Sequence, residues 1–155
     1  MIRRLHHVGI VTANLEAALS HYAEVFGCEV PRILSVDKPR IKLRTAMLSI
    51  GESHLQLIEP ESGPGVDDLK GGGEGTIFEI ALEVSDIEEM YHRMKAQNIE
   101  PVDFVGEPLR TKFLVASSGN RYFYLPRDKM RGTLIEIYQV MLQKPSEEKS
   151  KQVRD

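Results

Sequence analysis

The sequence predicts an α+β fold built from two βαβββ modules within a single domain. Two observations lead to this prediction: the order of strand-like and helix-like segments in residues 1–60 recurs in residues 75–141, and the two halves overlay at a lag of 72 residues. A chain of 155 residues is also long enough for one domain with a core and too short for two ordinary domains. We therefore expect one folded unit over residues 1–141.

The first module begins with a strand followed by a capped helix. Residues 5–12 are strand-like, and Asn14 suits the N-cap of the amphipathic helix LEAALSHYAEVFG, which we expect to end at Gly27. Three strand-like segments follow, CEVPRILSV, IKLRTAMLSIG and HLQLIEP, although Pro31 weakens the first of them. The first half is therefore predicted as βαβββ.

The same order recurs after residues 61–74, which are rich in Gly, Pro and Asp and which we interpret as a linker between the modules. The strand IFEIALEV comes next, and Asp86 with Glu89 forms a capping box for the helix IEEMYHRMKAQN. The remaining strand-like segments are IEPVDFV, TKFLVAS, RYFYLP and TLIEIYQV. Residues 142–155 are charged and lack periodicity, which predicts a frayed tail.

Composition excludes several classes of function. The chain has 20 basic and 23 acidic residues and a net charge of −3, so its overall charge does not indicate a nucleic-acid partner. No segment approaches the ~20 apolar residues of a membrane span, and the N-terminus lacks the apolar stretch of a signal peptide. Cys28 is the only cysteine, which rules out an internal disulfide and a cysteine zinc site and suits a reducing compartment. We expect a cytoplasmic protein with no membrane partner.

Strand parity separates an apolar face from a mixed face in the first and last strands of each half. The apolar set, which we expect to pack against the helices, is Val8, Ile10, Leu55, Leu57, Ile80, Leu82, Val84, Ile135 and Ile137. The opposite faces carry His7, Gln56, Glu79 and Glu136. In the overlay His7 meets Glu79 at the lag of 72, and Gln56 meets Glu136 at a lag of 80, which requires an eight-residue insertion in the second half.

Parity alone leaves two interpretations of the mixed face open. It could be a solvent-facing surface of the sheet, or it could line a concavity that holds a ligand. The small residues Gly9 and Ala81 on this face favour the concavity. His6, the neighbour of His7, has the parity of the apolar face, and we interpret it as a structural residue. His21, His54 and His92 have no ligand-type partner in the overlay, so we assign them no chemistry.

The two modules together resemble the vicinal-oxygen-chelate superfamily, which includes glyoxalase I, extradiol dioxygenases and fosfomycin-resistance proteins. The segments that show the resemblance are HHVGIVTANLEAALSHYAEVFG, IGESHLQLIEPES, GEGTIFEIALEVSDIEEMYHRM and LPRDKMRGTLIEIYQ. Within the superfamily, they are most similar to methylmalonyl-CoA epimerase and related glyoxalase-like proteins. The resemblance implies that the modules pair into a curved mixed sheet with a central cavity and with the helices outside.

The resemblance also implies a metal site, because each module of this superfamily supplies two ligands from its first and last strands. Carried over by position, the ligands are His7, Gln56, Glu79 and Glu136. The epimerase pattern has a histidine where this chain has Glu79, whereas one His, one Gln and two Glu is an inventory that some glyoxalase I enzymes use in a different arrangement. Nitrogen and oxygen donors without thiolates suit a divalent ion such as Co, Ni, Mn, Zn or Mg.

A run of basic residues suggests a second site. Lys38, Arg40, Lys42 and Arg44 occupy every second position, so in an extended strand their side chains point the same way. One interpretation is an anion subsite for a substrate carboxylate or for coenzyme A phosphates, in which arginine is the better bidentate partner. The other is an edge strand whose cations block edge-to-edge pairing.

The reaction implied by the resemblance is removal of an α-proton next to a metal-polarised carbonyl, through an enolate-type intermediate. By position, Glu136 is both ligand and base, and Asp37 is the carboxylate nearest the second base of an epimerase. The first expectation is a methylmalonyl-CoA-epimerase-like isomerase that acts on a small molecule, an acyl-CoA, as a homodimer. Two alternatives stay open: a glyoxalase I-type lactoylglutathione lyase, and a non-catalytic protein of the same fold that binds a drug or antibiotic.

Overall fold

A computed structural model of the chain describes residues 1–141, and the predicted tail at 142–155 lies outside the described residues. The first half follows the predicted βαβββ order. Its elements are β1 (Ile2–Val11), α1 (Leu15–Phe26), β2 (Leu34–Lys38), β3 (Ile41–Ile50) and β4 (Ser53–Ser62). The weakened segment before Leu34 stays outside β2, as the proline within it indicates.

The second half has the same order with shorter strands. Its elements are α2 (Val66–Gly71), β5 (Ile77–Val84), α3 (Ile87–Ala96), β6 (Leu114–Val115), β7 (Arg121–Leu125) and β8 (Leu134–Gln139). Helix α2 lies within the segment interpreted as a linker, and it buries Val66 and Leu69 against the sheet. That segment therefore contributes to the core.

The predicted strand IEPVDFV is wrong, because only Val102 forms bridges, to Pro108 and Tyr124. A turn follows at once: the Asp103 side chain accepts hydrogen bonds from the backbone N–H groups of Val105 and Glu107. Gly106 has φ of 85°, which glycine adopts without strain. The alternating pattern of this segment was thus overridden by local turn chemistry.

Helices α1 and α3 begin at the predicted caps. The Asn14 side chain accepts a hydrogen bond from Ala17 N, and α1 ends at Gly27, whose φ of 64° is left-handed. The Asp86 side chain accepts from the backbone N–H groups of Glu88 and Glu89 at the start of α3. The helix ends are thus determined by short-range side-chain chemistry that the sequence displays. No helix among residues 1–141 is long and apolar enough to cross a membrane.

The strands form one mixed sheet that curls into a half-barrel, which confirms the predicted fold class. The strand order is β2-β3-β4-β1-β5-β8-β7-β6, with β1 parallel to β4, β5 parallel to β8, and β1 antiparallel to β5 at the junction of the modules. Leu43 of β3 and Tyr124 of β7 lie near opposite ends of the strand order, yet they share one buried cluster. The sheet must therefore curve to bring them together.

Helices α1 and α3 cover the outer face of this curved sheet, whereas α2 packs with the cluster that contains Leu43 and Tyr124. Leu15, Leu19 and Ala23 of α1 pack against a cluster that includes Leu48 and Leu57. Ile87 and Met90 of α3 pack in the same way in the second half, against Phe123, Leu125 and Ile137. The inner face is therefore left free of helices in the middle of the sheet, where β1, β4, β5 and β8 meet.

Three register shifts interrupt the pairing of β1 with β5, and two of them lie beside His7 and Glu79. Leu5 lies opposite Leu82 and His7 opposite Ala81, so His6 is an extra residue in β1. Gly9 lies opposite Glu79 and Ile10 opposite Ile77, so Phe78 is an extra residue in β5. His6 and Phe78 are equivalent at the lag of 72, so the bulges follow the repeat. Each bulge turns inward a residue that simple alternation assigns to the outer face.

Candidate metal centre

Three ionisable side chains converge on the inner face of the sheet. One ligand atom each of His7, Glu79 and Glu136 lies within 4.8 Å of the other two. The Nε2 atom of His7 is 3.2 Å from Glu136 Oε2 and 3.6 Å from Glu79 Oε1. All three residues are buried, with exposed fractions of 2% to 4%. Because water cannot solvate charges at this depth, the two carboxylates need a positive charge within the cluster itself.

The strand register explains this convergence. His7, Ala81 and Glu136 are Cα partners across β1, β5 and β8, so His7 and Glu136 face each other over the small side chain of Ala81. One pleat along, Gln56 and Glu79 flank Gly9 in the same way. A Cβ atom on Gly9 would lie 2.9 Å from Glu79 Cγ, so a glycine is needed here for the Glu79 side chain to fold over the strand.

Each of these four residues has a buried polar atom without a hydrogen-bond partner. In residues 1–141 the buried unpartnered side-chain atoms are His7 Nε2, Gln56 Oε1, Glu79 Oε2 and Glu136 Oε2. Buried polar atoms in proteins almost always have partners, so four orphans in one place require an explanation. One imidazole nitrogen and three oxygens are a donor set that fits a divalent cation.

Electrostatics keep a proton in this cluster when no cation is present. Burial lowers the pKa of His7, but the Glu136 and Glu79 carboxylates outweigh burial and raise that pKa to about 9. Burial raises the pKa of Glu136 to about 7, against the opposing effect of His7. At neutral pH His7 is therefore the cation of the cluster, and a bound metal ion would take its place.

The surroundings of Glu136 include a tyrosine that sequence reasoning missed. Tyr124 is the Cα partner of Glu136 on β7, and it is buried beside that residue. Burial, followed by the charges of Glu136 and Glu79, raises the pKa of the Tyr124 phenol, so this residue stays neutral. The alternation of β7 puts Tyr124 on the inner face, and only the pairing of β7 with β8 brings it to Glu136.

His6 lies on the inner face beside His7, contrary to the parity interpretation. Its ring centroid is 4.4 Å from that of Tyr138 and 5.3 Å from that of His54, and both residues share the inner-face parity of the ligands. The bulge at His6 causes this change of face. The sequence signal for it is the adjacent pair of histidines, whose meaning depends on a bulge that only the pairing with β5 creates.

The four basic residues do not form one anion subsite. A turn at Pro39 and Arg40 joins β2 to β3, so Lys38 and Lys42 belong to different strands. Arg44 points outward, where its guanidinium pairs with Glu16 of α1 and with Glu59. Those two carboxylates raise the pKa of Arg44 above its ordinary value. The prediction that the four basic side chains point the same way is wrong, because the chain reverses direction between Lys38 and Lys42.

The other basic residues of the run have separate partners. Lys42 pairs with Asp37 at 3.0 Å. Lys38 and Arg40 instead reach the second module: Lys38 Nζ lies 3.4 Å from the Tyr122 hydroxyl, and Arg40 pairs with Glu107 at 3.3 Å. Both of these contacts cross the opening of the half-barrel.

The structure does not bring Asp37 into the cluster either. Val36 and Leu43, which are Cα partners on β2 and β3, pack with the inner cluster. The next pair, Asp37 and Lys42, therefore points to the other face of the sheet. The Asp37 side chain is 70% exposed, which also separates it from the buried carboxylates.

Comparison with known proteins gives one consistent family. The sequence profile of the Glyoxalase/Bleomycin resistance protein/Dioxygenase superfamily matches residues 6–114. The ethylmalonyl-CoA/methylmalonyl-CoA epimerase of Cereibacter sphaeroides is 29% identical over 142 residues, covering 90% of this chain and 100% of the relative. The mitochondrial methylmalonyl-CoA epimerase of Dictyostelium discoideum is 27% identical over 138 residues, covering 88% and 78%. A solved structure of Streptomyces coelicolor methylmalonyl-CoA epimerase with 2-nitronate-propionyl-CoA is 26% identical, with a TM-score of 0.76, covering 92% of this chain and 100% of that one.

Proposed function

Because this chain belongs to the Glyoxalase/Bleomycin resistance protein/Dioxygenase superfamily, we propose that it is a metal-dependent isomerase of the methylmalonyl-CoA-epimerase type. The observation that carries the proposal is the convergence of His7, Glu79 and Glu136 within 4.8 Å, each with a buried unpartnered polar atom, and with the unpartnered Gln56 Oε1 on the neighbouring strand. The epimerases among its relatives, one of them solved with an acyl-CoA analogue, support an acyl-CoA as the small-molecule substrate.

In this proposal His7, Gln56, Glu79 and Glu136 hold one divalent ion. The two carboxylates balance the charge of the ion, and the absence of cysteine from the set favours Co, Ni, Mn, Zn or Mg over softer metals. When bound, such an ion supplies a Lewis acid that polarises a carbonyl oxygen of the substrate. Burial of His7, Glu79 and Glu136 excludes water from their charged groups, which strengthens the charge interactions within the site.

Glu136 is the proposed base for the α-proton of the substrate, through an enolate-type intermediate. Burial holds its pKa at about 7 in the metal-free protein, so the carboxylate can both take and return a proton near neutral pH. The neutral hydroxyl of Tyr124 lies beside it and can donate a hydrogen bond to the carboxylate. We leave Asp37 out of the mechanism because it lies on the other face of the sheet, paired with Lys42.

The proposed contact with a substrate anion is restricted to Lys38 and Arg40. Lys42 and Arg44 point to the outer face, toward Asp37, Glu16 and Glu59, whereas Lys38 and Arg40 reach across the opening of the half-barrel toward Tyr122 and the exposed Glu107. A carboxylate or phosphate entering this opening can compete for them, because exposed ion pairs contribute little free energy.

The test of the reaction is α-proton exchange. We expect the metal-loaded protein to exchange the α-proton of methylmalonyl-CoA into deuterated water and to interconvert its two epimers. Mass spectrometry measures the exchange, and elemental analysis measures the metal of protein purified without added metal. Absence of exchange by protein that holds one ion per chain would reject the isomerase.

Metal binding should release about one proton per ion near pH 7.5, because the ion requires the neutral form of His7, whose pKa is about 9. The released fraction should fall as the pH rises through about 9, where His7 is already neutral, and affinity should rise over the same range. Calorimetry in two buffers of different ionisation enthalpy measures the number of protons. A value of zero near pH 7.5 contradicts a site that includes His7.

One observation favours a second candidate. Glu79 makes the donor set one His, one Gln and two Glu, the inventory of some glyoxalase I enzymes, so a glyoxalase I-type lyase acting on a thiol hemithioacetal is the alternative. Turnover of the methylglyoxal–glutathione adduct distinguishes it, and binding without turnover would leave a non-catalytic binding protein. The proposal also includes a homodimer, which sedimentation velocity measures, and a cytoplasmic location.

A further inference from the structure

His6 and His7 form a pair of imidazoles joined through their Nδ1 atoms. These two atoms are 2.8 Å apart, and both side chains are buried. His7 turns its other nitrogen, Nε2, toward Glu79 and Glu136. In a regular strand, neighbouring side chains point to opposite faces, so the contact depends on the bulge at His6.

We infer that His6 is a positioning residue for the proposed metal site: its Nδ1 atom accepts a hydrogen bond from His7 Nδ1 and so directs His7 Nε2 at the ion. The inference rests on the proposed metal-dependent function. Two nitrogens at 2.8 Å share one hydrogen. When His7 Nε2 offers its lone pair to an ion, that hydrogen resides on His7 Nδ1, and His6 carries its own hydrogen on Nε2.

The surroundings of His6 make it a rigid acceptor. Its ring lies against the ring of Tyr138 at 4.4 Å and near that of His54 at 5.3 Å. The backbone carbonyl of His6 is 3.3 Å from His54 Nδ1. Only 7% of the residue is exposed. A ring enclosed in this way has little freedom to rotate, so it holds the His7 ring in one orientation and one tautomer.

The internal repeat offers a comparison within the molecule. Phe78 occupies the position of His6 in the second half, also as a bulge residue, and it precedes Glu79. A carboxylate has two equivalent oxygens and no tautomer to select, whereas an imidazole has two inequivalent nitrogens. The polar bulge residue, His6, thus precedes the histidine, whose tautomer must be selected, and the apolar one, Phe78, precedes the carboxylate.

The experiment compares His6→Phe with His6→Asn. The phenylalanine keeps the ring against Tyr138 but removes the acceptor, and the asparagine keeps an acceptor close to the position of Nδ1. We expect His6→Phe to weaken Co²⁺ binding by about 10- to 100-fold and His6→Asn to stay within about threefold of the unchanged protein. The visible absorption of bound Co²⁺ should change only in His6→Phe. His21→Phe, which alters an exposed histidine of α1 outside this cluster, is the control and should leave Co²⁺ affinity unchanged.

A measurement on the unchanged protein stays valid if His6→Phe fails to fold. Nitrogen-15 NMR of the Zn²⁺-loaded protein should show the hydrogen of His7 on Nδ1 and that of His6 on Nε2. The opposite tautomers, or equal Co²⁺ affinity in His6→Phe and the unchanged protein, would overturn the role of His6 while the metal site stands. Failure of the unchanged protein to bind Co²⁺ or Zn²⁺ would overturn the metal site and this inference together.

Discussion

Glu136→Gln should reduce the rate of α-proton exchange by ~10²–10⁴ even when the metal content is restored, that being the usual contribution of a positioned acid or base. Glutamine keeps the size of the side chain and an oxygen donor, so it can still complete the donor set, as is proposed for Gln56 in the equivalent position of the other half. It cannot accept the α-proton. The measurement is exchange into deuterated water with methylmalonyl-CoA at saturating metal.

The matched control for this variant is Glu83→Gln. Glu83 is also a buried carboxylate on the inner-face parity, 4% exposed, but it pairs with Arg4 at 2.7 Å and Arg3 at 3.6 Å rather than with the candidate ligands. We expect Glu83→Gln to retain full exchange activity at saturating metal. If Glu136→Gln retained it as well, Glu136 would only hold the ion, and the base would have to be sought elsewhere.

His7→Ala should abolish binding of the divalent ion and destabilise the metal-free protein by about 3–5 kcal/mol near pH 6. The variant leaves the carboxylates of Glu79 and Glu136 buried side by side without a cation. In the unchanged protein the His7 pKa is raised to about 9, so its ion pair contributes fully below the ordinary histidine pKa of about 6.5 and is lost as the pH rises through about 9.

The pH dependence of His7→Ala has a definite sign. Because the folded-state pKa of His7 is raised to about 9, the variant lacks a contribution that the unchanged protein has in full below about pH 6.5 and loses as the pH rises through about 9. The deficit should therefore be largest near about pH 6 and shrink toward about pH 9. Urea unfolding with a chelator at both pH values measures this, with the half-buried His54→Ala as control. A deficit that does not change with pH would mean that lost packing, not unpaired charge, causes it.

Local signals in the sequence were sufficient for the helices and for the faces of the central strands. Asn14 and Asp86 cap the helices because a cap is a contact between residues two or three positions apart. The period of two in a strand predicts that His7 and Gln56 share a face, and the repeat extends this to the second half. The buried inner face is not a solvent-exposed surface, which strand parity alone could not decide.

Local signals failed where a distant residue decided the outcome. The alternation of Lys38, Arg40, Lys42 and Arg44 does not reveal that the chain reverses at Pro39. It also does not reveal that Glu16, 28 residues away along the chain, binds Arg44. The buried side chains of α2 were missed for the same reason, because the glycines and prolines around the helix are typical of a linker.

By itself, the sequence determined the two-module α+β fold, the helix ends and the set of polar residues on the inner side of the first and last strands. These depend on contacts within a few positions and on a repeat that the sequence displays. Only the tertiary structure decided that the ligand atoms of His7, Glu79 and Glu136 come within 4.8 Å of one another, and that His6 turns inward beside them. Both results follow from the register of β1 against β5, including its bulges, and register is a property of two strands about 70 residues apart.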